Sequence, residues 1–150
     1  MGRDVLNEFV ANKSNLKTIQ LCLCTLGNGG TGIITSALRS CTNLDSIFLL
    51  GCDVDDDIIV DFVAGIRGLH RLRILGFTEL GNNNFGNFGR VGFEALAKLL
   101  RDPNGNLCHL HFNGNNRIDD DCAIILANAL KGNNKLESLD LSRNNTITGR

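Results

Sequence analysis

The chain has 150 residues, 43% of them hydrophobic, and 15 basic residues against 16 acidic ones give a net charge of -1. That is enough chain for one domain with a sizeable core, and the near balance of charge argues against nonspecific affinity for nucleic acid or for anionic membrane surfaces. No run of 18 apolar residues occurs, so membrane insertion is not expected.

The stretch MGRDVLNEFVANKSNL carries acidic residues and amphipathic spacing rather than a basic head and an apolar run, so it does not read as a secretory signal. Residues 4–11 are expected to form the last helix of a preceding or capping unit spanning 1–15. Leu6 stands where an N-myristoylation motif needs Ser or Thr. With no secretory signal, six cysteines point to free thiols in a reducing, intracellular and cytoplasmic setting.

Next comes LKTIQLCLC (16–24), aliphatic at its first, fourth and sixth positions, and then GNGGTG (27–32), whose glycines have the spacing of a loop that cradles a dinucleotide's pyrophosphate. Ile33, Ile34, Ala37 and Leu38 follow at helical spacing. The nine-residue pattern returns in LDSIFLLGC (44–52), LHRLRILGF (69–77), LCHLHFNGN (107–115) and LESLDLSRN (136–144). Helical spacing intervenes each time: Ile58, Ile59, Phe62 and Ile66; then Phe93, Leu96, Leu99 and Leu100; then Ile124, Ile125, Leu126 and Leu130. Acidic residues open two of these helices, in DVDDDII and RIDDDCAII, where they can cap free amides and face the positive end of the helix dipole.

Repeats starting near 16, 44, 69, 107 and 136 thus divide a single domain, 1–150, into units of strand, turn and helix. The last is incomplete, ending where its helix is due, so its edge is expected to be uncapped and to associate or fray. Cys24, Cys52, Asn115 and Asn144 fill the ninth position, where they are expected to bond backbone groups of the turn. Phe77 takes that slot in the third unit. GNGGTG occupies the place that DVDDDI and IDDDCA fill in other units, and a phosphate site would not be rewritten as consecutive aspartates. Its glycines are therefore read as turn formers, and no cofactor is expected. Cys22 and Cys24 have no second cysteine pair, and His109 and His111 have no assured third ligand, so no metal is expected either. Additional residues in TELGNNNFGNFGRVG (78–92) form an insertion rich in Gly and Asn, read as a mobile loop with Phe85 and Phe88 as candidate contacts.

The pattern L-x-x-L-x-L-x-x-N/C, repeated over 16–150, resembles the ribonuclease-inhibitor-like class of leucine-rich repeats, found also in intracellular nucleotide-binding leucine-rich-repeat receptors and in the Ran GTPase-activating protein. The resemblance implies an α/β fold. It would be a right-handed leucine-rich-repeat solenoid in a horseshoe arc of about five repeats, with parallel strands on the concave face and helices on the convex face. It also implies a noncatalytic scaffold that binds a protein partner through the concave sheet. The alternative is a GTPase-activating or nucleotide-switch regulatory module of a larger protein, for which only scaffold positions match and no catalytic residue carries over.

In that arrangement the third, fifth and seventh positions of each unit point to solvent. Among them are Phe48, Leu50, Arg71, Arg73, Leu75, His109, His111 and Asp140. An exposed aromatic ring and two leucines beside two arginines have the composition of a protein-binding patch. No Ser, His and Asp set falls in a motif, and an open face cannot exclude water or shift a pKa strongly, so no enzyme activity is expected.

Overall fold

Five short strands and four helices alternate along the residues that the computed structural model describes, which are 15–24, 26, 30–78, 89–115 and 118–148. In order they are β1 (Thr18–Cys22), α1 (Gly30–Leu38), β2 (Ser46–Leu50), α2 (Asp56–Ile66), β3 (Ile74–Thr78), α3 (Arg90–Leu100), β4 (His109–His111), α4 (Asp120–Leu130) and β5 (Ser138–Asp140). All strands are parallel and stand in the sheet in the order of the chain. Each helix packs on the next, α1 on α2, α2 on α3 and α3 on α4. This all-parallel α/β arrangement is compatible with a repeat solenoid.

The register shows how the units stack. Ile19, Ile47, Leu75, Leu110 and Leu139 form one row across the sheet, and Leu21, Leu49 and Phe77 form the next. One hydrogen-bonding device recurs at each junction: the second-position carbonyl of one unit accepts two N–H bonds from the next. Lys17 O takes Asp45 and Ser46, Asp45 O takes Arg73 and Ile74, Arg73 O takes Cys108 and His109, and Cys108 O takes Glu137 and Ser138.

That device corrects the expected boundary of the third unit. Arg73 occupies the second position, so the unit starts at Leu72 rather than Leu69, and the starts at 16, 44, 72, 107 and 136 are 28, 28, 35 and 29 residues apart. Leu69, Leu72 and Leu75 are spaced by three, so the sequence pattern fits either frame. The pairing of Ile47 with Leu75 and of Leu49 with Phe77 decides it. Phe77 is therefore a core residue in the sixth slot and not a turn residue. The additional length of this unit falls before α3, at residues 79–88, which lie outside the described residues together with Phe85 and Phe88.

Central units bury the row residues fully, whereas the outermost units leave Leu16, Ile19, Leu21, Leu136, Leu139 and Leu141 half-buried. Four phenylalanines knit the middle of the core. Phe77 and Phe112 stack with centroids 5.4 Å apart, Phe62 of α2 meets Phe77 edge-on at 6.1 Å, and Phe93 of α3 leans on Phe112 at 5.2 Å. Such pairs add roughly 0.5–1.5 kcal/mol beyond the area they bury. On the helical side Gly65 lets α1 and α2 approach closely, because a Cβ there would sit 2.5 Å from the Thr35 Cβ.

Aspartates organise the helix starts. Asp55 caps α2 by accepting from Ile58 N at 2.8 Å, and Asp119 caps α4 by accepting from Cys122 N at 3.0 Å. The cap position of α3 is Gly89, which has no side chain to offer. Asp56 of the preceding unit supplies it instead, its Oδ1 accepting from both Gly89 N and Gly92 N at 2.8 Å. Asp120, the matching residue of α4, also reaches the next unit, where Oδ1 accepts from Thr148 N at 2.7 Å and Oδ2 from the Thr148 hydroxyl at 2.6 Å.

Candidate binding surface

The residues between the core rows point away from the helices. Following the pairing register, the third position gives Thr18, Ser46, Ile74, His109 and Ser138, and the fifth gives Gln20, Phe48, Gly76, His111 and Asp140. At the seventh position are Cys22, Leu50 and Thr78, the strand ends of the first three units. This face carries one apolar group, Phe48, Leu50 and Ile74, all half-buried and adjacent on β2 and β3. The Phe48 ring lies against the bare backbone of Gly76, where a Cβ would come within 2.6 Å of Phe48 Cδ1. Glycine at this position thus makes the notch that seats the ring.

Five of the expected site residues sit differently from the reading of the sequence, or lie outside what is described. Leu75 is not on the open face: with the third unit starting at Leu72, it falls in a core row and is fully buried. Ile74 takes its place on the surface. Arg71 and Arg73 are exposed but precede β3, Arg71 in the turn after α2 and Arg73 at the second position of its unit rather than the fifth, so neither joins the rows of the sheet. Phe85 and Phe88 are outside the described residues.

Arg73 is exposed at the sheet edge, and the neighbouring Cys108, with smaller effects from Asp45 and Glu137, raises its pKa. With Asp45, Arg71, Cys108, Lys135 and Glu137 it lines a shallow groove of about 560 Å³ where the strands begin. Lys135 is already engaged there, donating to Pro103 O at 2.7 Å and Gly105 O at 2.6 Å. His109 and His111 lie on one face with rings parallel, 4° apart in plane and 6.4 Å between centroids. Glu137 Oε2 is 3.9 Å from His109 Nε2, and Asp140 pairs in register with His111. The Asp140 carboxyl is held below the usual carboxylate range, chiefly by hydrogen bonds from the Ser142 hydroxyl and backbone N–H, with His111 and Arg143 adding to the effect. Among the described residues no three His, Cys, Asp or Glu side chains are grouped so as to hold a metal ion.

The ninth positions lie at the rim of this face. Asn115 donates to Phe77 O at 2.8 Å and to Phe112 O at 2.9 Å; Asn144 donates to Phe112 O at 2.9 Å and to Leu141 O at 2.7 Å. Cys52 reaches Leu21 O at 3.4 Å, and Cys24 bonds Cys22 O at 3.3 Å. Three of these four residues therefore tie their own unit to the sixth-position carbonyl of the unit before. The position just ahead is left-handed in four units, at Leu23 (φ 52°), Gly51 (φ 59°), Gly114 (φ 80°) and Arg143 (φ 58°). The first unit's glycine loop falls largely outside the described residues, at 27–29.

The geometry thus defines an α/β sheet of stacked units with one open, water-exposed face. No family model matches the chain. It is similar to the Tonsoku-like protein of Danio rerio, 27% identical over 161 residues, an overlap that takes in 89% of this chain and 11% of the length of that protein. Among the described residues no helix is long and apolar enough to cross a membrane.

Proposed function

We propose that the chain is a leucine-rich-repeat module of the ribonuclease-inhibitor-like kind, curved with its sheet on the concave side, that binds a protein partner through that sheet and performs no catalysis. The observation that carries this reading is the apolar group of Phe48, Leu50 and Ile74 on an open face, with Arg73 at the sheet edge and His109, His111 and Asp140 beyond it on the same sheet. An apolar centre with an aromatic anchor, edged by Arg and polar groups, is the anatomy of a protein interface. The histidines and Asp140 stand on a surface that does not exclude water, a poor setting for acid–base chemistry. Similarity to the Tonsoku-like protein is compatible with an interaction role and comes without the partner's name.

The test is a pull-down from a lysate of the source cell with the wild-type chain and with a Phe48→Ala, Arg73→Ala double variant whose folding is checked by circular dichroism. A protein retained by the first and lost by the second supports the reading. Equal retention by both places the interface elsewhere and overturns it.

A further inference from the structure

The first two units differ from the fourth and fifth in what fills the ninth slot: Cys24 and Cys52 stand where the later units have Asn115 and Asn144. The parallel ladder brings these two thiols together. Cys22 pairs with Leu50 at the strand ends, Leu23 N donates to Leu50 O at 2.8 Å, and Asp53 N donates to Cys24 O at 3.1 Å, so the chains still run side by side as they leave the sheet. Neighbouring strands lie about 4.8 Å apart, within the roughly 4.4–6.8 Å between Cα atoms that a disulfide spans. The Cys52 sulfur reaches across to the first unit, 3.4 Å from Leu21 O, and the Cys24 sulfur stays on the same strand end, 3.3 Å from Cys22 O. Access is asymmetric: Cys24 is half-buried and open to a small reagent, whereas Cys52 is 1% exposed.

We propose that Cys24 and Cys52 form a reversible thiol–disulfide site whose oxidant is a small hydroperoxide. The Cys24 thiolate attacks the terminal peroxide oxygen; the O–O bond breaks, Cys24 becomes a sulfenic acid, and the oxygen that leaves takes up a proton as water or alcohol. Cys52 sulfur then attacks the Cys24 sulfur, and the sulfenic hydroxyl departs as water with the Cys52 proton. Two thiols are oxidised to one disulfide while one peroxide is reduced, and a thiol reductant reverses the change by exchange. Burial raises the Cys52 thiol, so the more accessible Cys24 and not Cys52 meets the peroxide first, and Cys52 gives up its proton as it attacks the Cys24 sulfur. The bond would staple the first unit to the second at the rim of the open face, next to Leu50.

The experiment treats the folded 150-residue chain with equimolar hydrogen peroxide, blocks remaining thiols with iodoacetamide, and maps the cysteines by peptide mass spectrometry. The expected result is loss of free thiol at Cys24 and Cys52 together, in one cross-linked peptide pair that dithiothreitol separates. A Cys52→Asn variant keeps the slot filled by the residue that two other units use, and in it dimedone should trap the sulfenic acid on Cys24. A disulfide between Cys22 and Cys24, a Cys24 sulfinic acid beside a free Cys52, or a protein in which both thiols stay reduced would overturn the proposal.

Discussion

Replacing Asp56 by alanine removes the cap of a helix to which Asp56 does not belong. Its Oδ1 accepts from Gly89 N and Gly92 N, each at 2.8 Å, at the start of α3, and Gly89 can offer no side chain in its place. Hydrogen bonds to an ionised group contribute roughly 1.5–3 kcal/mol each, but Asp56 is only half-buried and water can partly replace it, so the cost falls to about 2 kcal/mol, near the upper end for a lost cap. For a chain of this size that corresponds to a fall in melting temperature of about 6 °C. Asp57→Ala is the control, since Asp57 is exposed on the same first turn, and its loss should cost no more than about 0.5 kcal/mol. Urea unfolding of both variants gives the two stabilities, and amide hydrogen exchange at Gly89 and Gly92 shows whether the damage falls on α3. Equal losses in the two variants, or unchanged protection at these glycines, would refute the capping across units.

Three more expectations rest on single features. Leu23 is left-handed and 67% exposed, in a position that is glycine in the second and fourth units, so Leu23→Gly should raise stability by about 0.5–1 kcal/mol in urea unfolding; a loss would show that the side chain packs. A methyl group at position 76 would displace the Phe48 ring, so Gly76→Ala should destabilise by about 1 kcal/mol and shift the Phe48 aromatic proton resonances, and unchanged resonances would contradict the notch. Burial, together with a hydrogen bond that the thiol donates to Asp119, pushes the Cys122 thiol from 9.0 up to about 12, so its contribution to stability is whole below pH 9 and is lost as pH rises toward 12, when the unfolded chain alone gives up the proton. Burial raises Cys41 and Cys52 in the same direction. Melting temperature followed from pH 8 to 11 should fall less steeply for Cys122→Ala than for wild type, and parallel curves would remove Cys122 as the cause.

Much of the fold was legible because its determinants are local. Leucine spacing marks the rows, and Asp55 and Asp119 are aspartates just ahead of apolar helical runs. Legibility failed where two frames satisfied the same pattern: Leu69, Leu72 and Leu75 are interchangeable until pairing with β2 selects the frame that buries Leu75 and Phe77. The 28-residue interval from 16 to 44, repeated to 72, was the available clue. Arg71 and Arg73 were misplaced for the same reason, and Ile74 was missed as a surface residue. The seat of Phe48 on Gly76 and the cap that Asp56 gives to α3 join residues 28 and 33 apart, so no local pattern signals them.

The central claim is that the sheet, and not the helical side, meets a partner. A photo-cross-linking phenylalanine analogue can be installed at position 48 on the sheet and, separately, at position 124 on α4, where Ile124 is 51% exposed. After irradiation in a lysate of the source cell, position 48 should yield a discrete adduct, lost when Arg73 is also changed to alanine, and position 124 should yield none. An adduct at 124 with none at 48 would contradict the account.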